Sequence, residues 1–339
     1  MVTMRDVAQL AGVSITTVSH VVNDTRPVAA DTRDRVLAAV AQTGYTGDAI
    51  ARSLVTGGTR TLGLALPLAG NPHAAALTAA VEGAATEAGY TLILADTHDE
   101  QHPEHTALRA LRSRRVDGIL LTPTAGADGS AGAYDTAADS AAAELRRLGV
   151  PTVLLDRVPE HTGADQVGPE NVQATSDLVR HLGDLGHRRI AMVTGPAAIS
   201  TSAERLLGYR LGLGRAKLVW DPELVASGPS GAAAEEMASL LDLPVPPTAV
   251  VAGDGVVLLG VLRAAQRLGL RLGTDLAVVA HDDVDWAELL GITTTAQPVE
   301  RIATTAVRLL IERIAEPDRP ASIVRIPPVM MHRQSCGCP

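Results

Sequence analysis

Residues 3–23 read TMRDVAQLAGVSITTVSHVVN, and this stretch decides what the first part of the chain is. Val7, Ala8, Leu10 and Ala11 recur at helical spacing. Thr3, followed three residues later by Asp6, has the form of a capping box with Asp in place of Glu. Gly12 breaks this helix, and Ser14 is placed to N-cap a second one that carries Val18, Val21 and Val22 inward. Asn23 can end that helix in the left-handed conformation. Two short helices joined by a tight glycine turn form a helix-turn-helix. An ordinary helical hairpin has the same apolar spacing, so the outer face must separate the two. That face is Ile15, Thr16, Thr17, Ser19 and His20: short polar groups, one apolar group and no long acid. Such a surface can lie in a DNA major groove close to bases and phosphates, whereas a helix facing only solvent usually carries Glu and Lys.

Outward from this pair, a third helix is expected over about 30–43. Asp31 is its N-cap, Val36, Leu37 and Val40 form its apolar stripe, and Gly44 is its stop. Three helices close a small core. The run DVAQLAGVSITTVSHVVN followed by TRDRVLAAVAQTGY resembles the headpiece of the LacI/GalR family of transcriptional regulators, and the resemblance continues along nearly the whole chain. It implies that Ile15, Thr16 and His20 read bases, and that Thr3, Ser14, Thr17, Ser19, Asn23 and Thr32 mostly hold phosphates. Residues 48–54, DAIARSL, resemble the family's hinge helix. Leu54 would then be an apolar wedge in the minor groove, and Ala51 would let two hinge helices approach. Tyr45 and Arg52 complete the expected DNA-binding set. The chain departs from the family pattern at Tyr45-Thr46-Gly47-Asp48, where a carboxylate replaces the usual Asn.

From Thr61 onward, short apolar runs alternate with helical stretches that end in glycine. The runs are 62–66, 91–95, 118–121, 152–155, 190–193, 249–251 and 276–279, and the helical stretches are 82–89, 142–149, 176–186 and 258–269. Runs this short and apolar suit buried parallel strands, and the alternation implies doubly wound α/β sheets. The expected organisation is an all-α helix-turn-helix headpiece (1–46), a hinge helix and linker (47–60), and an α/β core (61–339). The core is two doubly wound parallel-sheet lobes, similar to periplasmic binding proteins. Residues 125–143 are rich in Ala, Gly and Asp and read as a surface insertion.

Ligands of such lobes bind at strand C-terminal ends. Asp156 ends LLD, Asp254 ends VVAGD, Asp282 and Asp283 end VVAHDD, and Arg205 lies in SAERLLGY. Carboxylates accept hydrogen bonds from sugar hydroxyls, Arg donates them, and Trp286 can stack on a sugar face. Each Asp is equally placed to cap a helix. The resemblance matches Asp156, Arg205 and Asp282 to effector-contacting positions, and Asp254 to the Asp of the family's AND motif, where the Asn position is Gly253. The expected effector set is His73, Thr122, Asp156, Arg205, Asp254, Asp282 and Trp286. His73 and His281 stand where the family has aromatics, and either can touch ligand or fill space. Gly253-Asp254-Gly255 imitates a dinucleotide fingerprint, but Leu258 takes the place of its third glycine.

Composition bounds the rest. The 339 residues are 46% hydrophobic, with no Phe and a single Lys, Lys217. The net charge of −9 argues against a general nucleic-acid binder, yet residues 1–60 hold six Arg against five acids, so the acidity belongs to the core. Neither a secretory leader nor an apolar run of the ~18 residues a membrane span needs is evident, so the expected location is the cytoplasm. Cys336 and Cys338 lie in the last residues and read as a frayed cytosolic tail; with His332 they can bind metal, but no metal or other cofactor is expected. Nucleophile-elbow, zincin and P-loop motifs are absent, so no enzyme is expected. The expected protein is a homodimeric repressor that binds a palindromic double-stranded DNA operator and is released by a small-molecule effector, a sugar. Two alternatives stay open: an effector required for DNA binding, and a regulator that no longer senses a ligand.

Overall fold

The computed structural model describes residues 2–22, 26–45, 58–68, 70–124, 149–159 and 162–338. The chain divides into two compact units, Met1–Arg60 and Thr61–Pro339.

In the first unit α1 spans Met4–Ala11, α2 Ile15–Val22 and α3 Ala30–Thr43. The capping box is formed: the Thr3 backbone N–H donates to Asp6 Oδ2 at 2.7 Å, and the Asp6 N–H donates back to Thr3 Oγ1 at 3.4 Å. Gly12 takes φ +65°, the left-handed region that glycine enters without steric cost, and Val13 N–H closes the turn on Ala8 O at 3.0 Å. Ser14 caps α2 by accepting from Thr17 N–H at 3.1 Å. Val7, Ala8, Ala11, Val18, Val21, Val36, Ala39 and Tyr45 fill the core. Two details differ from the sequence reading. Leu10 and Leu37 are 49% and 46% exposed, because Ala11 and Ala39 face the close helix crossings instead. Asp31 lies inside the first turn of α3, behind Ala29, which gives no side-chain cap.

The second unit runs β1 (Thr61–Leu66), α4 (Pro72–Glu87), β2 (Thr91–Asp96), α5 (Gln101–Ser113), β3 (Gly118–Leu121), β4 (Thr152–Leu155) and β5 (Asp165–Pro169). It continues with α6 (Asn171–Asp184), β6 (Ile190–Thr194), α7 (Ser200–Arg215), β7 (Val225–Ser227), α8 (Ala233–Leu241), β8 (Ala249–Ala252), α9 (Gly255–Arg267) and β9 (Ala277–His281). It ends with α10 (Asp285–Leu289), β10 (Thr293–Ala296), α11 (Val299–Ala315), β11 (Ile323–Ile326) and β12 (Val329–Met331). Among the described residues two six-stranded sheets result, in the orders β11-β5-β4-β3-β1-β2 and β12-β10-β9-β8-β6-β7. Every pairing is parallel except β10 with β12. The chain therefore changes lobe three times: after β5, after β10 and after β11.

All seven apolar runs are strands. The five strands not foreseen are short or polar, and several of their polar groups are held by distant partners. In β5, Asp165 is 1% exposed and accepts from Arg313 Nε at 2.9 Å and Ser322 N–H at 2.8 Å. In β10, the hydroxyls of Thr293 and Thr294 donate to Arg333 O and to the Asp283 carboxylate. A search for apolar runs does not detect strands of this kind. The helical stretches expected at 82–89, 176–186 and 258–269 are the C-terminal parts of longer helices, whereas the one at 142–149 and the insertion at 125–143 fall outside the described residues, apart from Gly149. Helices cover both faces of each sheet. One close approach positions the site: a Cβ on Gly208 would lie 2.3 Å from Val172 O, so this glycine lets α7 press against α6 and sets Glu204 and Arg205 beside Asn171.

Candidate functional site: an exposed helix and a cavity between lobes

On the headpiece, Ile15 is 43% exposed, Thr16 is exposed, and Thr17, Ser19 and His20 are half-buried along α2. Ser14 and Thr17 share a hydroxyl–hydroxyl hydrogen bond of 2.8 Å, so the first turn presents two oriented hydroxyls. Thr3 is tied to Asp6, whose carboxyl is held below its usual range by hydrogen bonds from the Thr3 N–H and hydroxyl. Thr32 is half-buried on α3 and accepts from Arg35 at 3.4 Å. Tyr45 is 8% exposed and packs in the helical core. Asn23 and the hinge residues Ala51, Arg52 and Leu54 lie outside the described residues.

In the second unit a cavity of about 200 Å³ opens between the two lobes. From the first lobe it is lined by His73, Asp99, Asp156 and Arg157; from the second, by Ser202, Arg205, Asp254 and Asp282, among others. Asn71 caps α4 by accepting from His73 N–H at 3.0 Å, which fixes the His73 backbone at the cavity wall. Asp156 follows β4 and Asp282 follows β9, and each holds a left-handed backbone, φ +66° and +69°. Asp tolerates that region better than most residues, and such strain gathers at ligand sites.

His73 Nε2 and Asp156 Oδ1 are 3.1 Å apart. Burial alone would depress the imidazolium, but the Asp156 charge and hydrogen bond overcome this and raise the His73 pKa to about 9. Burial likewise works against the Asp156 carboxylate, yet His73, with help from Arg205 and Arg157, brings its pKa down to about 2. The pair is therefore ionic near neutral pH. Asp254 accepts from Val257 N–H at 2.7 Å as the N-cap of α9, and burial raises its pKa in spite of that bond. Asp282 accepts from Gly255 N–H and from Gln297 Nε2, both at 3.3 Å.

Arg205 is 7% exposed and donates to Asn171 Oδ1 at 3.1 Å and to Gly253 O at 2.5 Å. Asn171 donates to Glu204 Oε2 at 2.7 Å, and Glu204 pairs with Arg325 of β11 in the other lobe. Arg325 also reaches Pro169 O at 3.2 Å. A continuous polar chain thus runs from the cavity arginine of one lobe to an edge strand of the other. Sequence reading missed Asn171, Glu204 and Arg325, whose neighbours give no sign that they meet. It also missed Arg157 and Asp99, although Arg157 directly follows Asp156. Arg157 forms a two-pronged ion pair with Asp99 at the cavity rim.

Three residues singled out from the sequence lie elsewhere. Trp286 packs against the second-lobe core and does not line the cavity, so stacking on a ligand there is not its role in this structure. Thr122 is 4% exposed and is not among the residues that line the cavity, its hydroxyl unpartnered among the described residues. His281 is fully buried between Thr175 Oγ1 at 2.8 Å and Thr295 Oγ1 at 3.0 Å, and burial holds its pKa well below the usual value. It is a neutral core histidine. Gly253 has no room for a side chain: a Cβ would lie 2.9 Å from Thr194 Cα. Leu258 is buried in the lobe core, so the dinucleotide-like glycines are only a strand-to-helix turn.

Donors and acceptors converge on the cavity, and among the described residues no aromatic ring of Tyr or Trp lines it. The arrangement suits a compact polyhydroxylated molecule. Carboxylates accept from hydroxyls, and the guanidinium and imidazolium donate to ring and hydroxyl oxygens. Among the described residues a flat base would find no Tyr or Trp ring to stack on.

Residues 3–48 match the family model described as bacterial regulatory proteins, lacI family, and residues 179–336 match the periplasmic binding protein-like domain. The chain is 33% identical to the ribose operon repressor of Escherichia coli (strain K12), covering 99% of this chain and 100% of that one. It is 31% identical to the transcriptional repressor PurR of Vibrio atlanticus, covering 99% and 98%. Among solved structures, a lac repressor dimer bound to operator and the anti-inducer ONPF superposes with a TM-score of 0.83 at 26% identity, covering 99% of each chain. The complex of the regulator CelR with cellobiose gives 0.73 at 29% identity, covering 99% of this chain and 100% of that one.

Proposed function

Because this chain belongs to the LacI family of bacterial regulatory proteins, we propose that the cavity between its lobes is the effector site and that the effector is a small neutral sugar. The protein is a DNA-binding transcriptional repressor and not an enzyme; it acts as a homodimer on operator DNA and responds to a small molecule. The sugar assignment rests on one observation: a cavity of about 200 Å³ lined by four carboxylates, two guanidiniums and two imidazoles, with no Tyr or Trp among the described residues that line it.

Ile15, Thr16 and His20 of α2 are the base readers in this reading, and Thr3, Ser14, Thr17, Ser19, Asn23 and Thr32 hold phosphates. Tyr45 contributes by packing the headpiece. Ala51, Arg52 and Leu54 form the hinge contact, with Leu54 as the minor-groove wedge. A cytoplasmic location belongs to the same proposal; among the described residues no helix is long and apolar enough to cross a membrane. His73, Asp156, Arg205, Asp254 and Asp282 hold the effector, which favours one lobe arrangement and thereby lowers operator affinity.

The test is operator release. DNA selected from a random pool supplies the operator, and a panel of pentoses, hexoses and purine bases is then titrated against the complex. A neutral monosaccharide should release DNA from the wild type. Arg205→Ala should weaken that sugar by roughly 100-fold, as expected from losing hydrogen bonds to a charged donor, with operator affinity unchanged. Release by a purine base alone, or an unaltered sugar response in Arg205→Ala, overturns the assignment.

A further inference from the structure

The C-terminal tail is not frayed, contrary to the sequence reading. β12 pairs with β10, Arg333 holds the Asp283 carboxylate, and Ser335 Oγ donates to Val278 O at 2.6 Å while accepting from Thr293 N–H at 2.8 Å. These bonds seat Cys336, fully buried, in the core between α6, α7 and the second sheet. Gly337 turns the chain with φ +76°, which brings the sulfur of Cys338 back to that of Cys336, and the two are joined in a disulfide. Cys338 Sγ also lies 3.3 Å from His181 Nε2 on α6. The donor atoms of His181, Cys336 and Cys338 all fall within 4.8 Å of one another. The ring of His332 stands edge-on to that of His181, with 4.9 Å between centroids.

We propose that, once the Cys336–Cys338 bond is reduced, His181, His332, Cys336 and Cys338 bind one thiophilic divalent cation of the zinc class. Two thiolates and two imidazoles are the donor set of closed tetrahedral zinc sites. The three clustered donors already stand close to the spacing that bonds of ~2.0–2.3 Å to one ion require. His332 is exposed, so its side chain is free to turn in as the fourth ligand. The cation would clamp the tail onto α6, far in sequence from Cys336 and Cys338. A reductant must first open the disulfide. With a phosphine, the phosphorus takes an oxygen from water and is oxidised to the phosphine oxide, and the two sulfurs leave as thiols. Coordination then releases both thiol protons to solvent.

The test uses the full chain, reduced with a water-soluble phosphine and titrated with cobalt(II) alone. One cobalt per chain should give thiolate-to-metal charge-transfer bands and the visible bands of a tetrahedral ion, and zinc should displace it. Cys338→Ser and His181→Gln should each lose the charge-transfer bands or weaken binding at least tenfold, with unchanged circular dichroism. His332→Gln, at an exposed position, should weaken binding with the fold intact. Protein with the disulfide left closed should bind no cobalt with thiolate bands. Absence of those bands in the fully reduced wild type, or equal binding by Cys338→Ser and His181→Gln, overturns the site.

Discussion

The headpiece works on its outside and the lobes work on their inside, and the two are specified differently. Among the described residues of the headpiece, the groups that shape the helix-turn-helix lie within a few residues of their partners: Thr3 with Asp6, Ser14 with Thr17, Gly12 between the helices. In the lobes the partners are far apart: His73 meets Asp156 across 83 positions, and Arg325 meets Glu204 across 121. A local code survives as a readable motif. A non-local one becomes visible only when the fold brings the strand ends together.

The sharpest way to break this comparison is to unfold one region and ask whether the other notices. Val18 is fully buried in a core of eight residues. An unpaired carboxylate there costs several kcal/mol, comparable to the whole stability of so small a unit. Val18→Asp should lower operator affinity by roughly 100-fold or more while calorimetry finds effector affinity unaltered; loss of both would show that the regions do not stand alone.

A smaller effect sharpens the non-local side. Glu204→Gln removes the carboxylate that Arg325 pairs with across the lobes, while the amide oxygen can still accept from Asn171. The expected result is about a tenfold loss in coupling, measured as the ratio of operator affinities with and without effector. Operator affinity without effector should be preserved, and an unchanged ratio would remove this chain of contacts from the mechanism.

The smallest expected effect concerns pH. His73 has a folded pKa of about 9, above its ordinary 6.5. Its stabilising contribution is therefore complete below pH ~6.5 and is lost as pH rises through 9. Asp156 is shifted down, so its contribution holds above its ordinary 3.8 and is lost only as pH falls toward 2. Between pH 7 and 10 the wild-type melting temperature should fall more steeply than that of His73→Gln. Parallel curves would mean that the pair does not set the cavity's charge.

Much of this was legible in the residues, unevenly and for physical reasons. Helix starts and stops carry chemical markers, so Thr3, Gly12, Ser14 and Gly44 showed themselves; Asp31 misled because an acid in the first turn and an acid at the cap look alike. Buried parallel strands such as 118–121 are apolar throughout and were visible, while the polar strands at 165–169 and 293–296 were hidden because their hydrogen-bond partners lie elsewhere in the chain. His73 and His281 were indistinguishable as letters. One sits beside a carboxylate at the cavity wall and is charged; the other sits between two threonine hydroxyls and is neutral.

The sequence alone therefore determined the headpiece helices and the seven apolar strands, the alternation that implies an α/β core, the resemblance to the LacI/GalR family, and the strand-end positions of Asp156, Asp254 and Asp282, because turns, caps and apolar periodicity are short-range effects. Only the tertiary structure decided which of those residues share a cavity, that Trp286 packs in the core instead, that Arg205 is braced through Asn171 and Glu204 to the opposite lobe, and that His181 meets the two cysteines of the tail. Those facts depend on contacts between residues as far as 34 and 157 positions apart, which packing fixes and local pattern does not record.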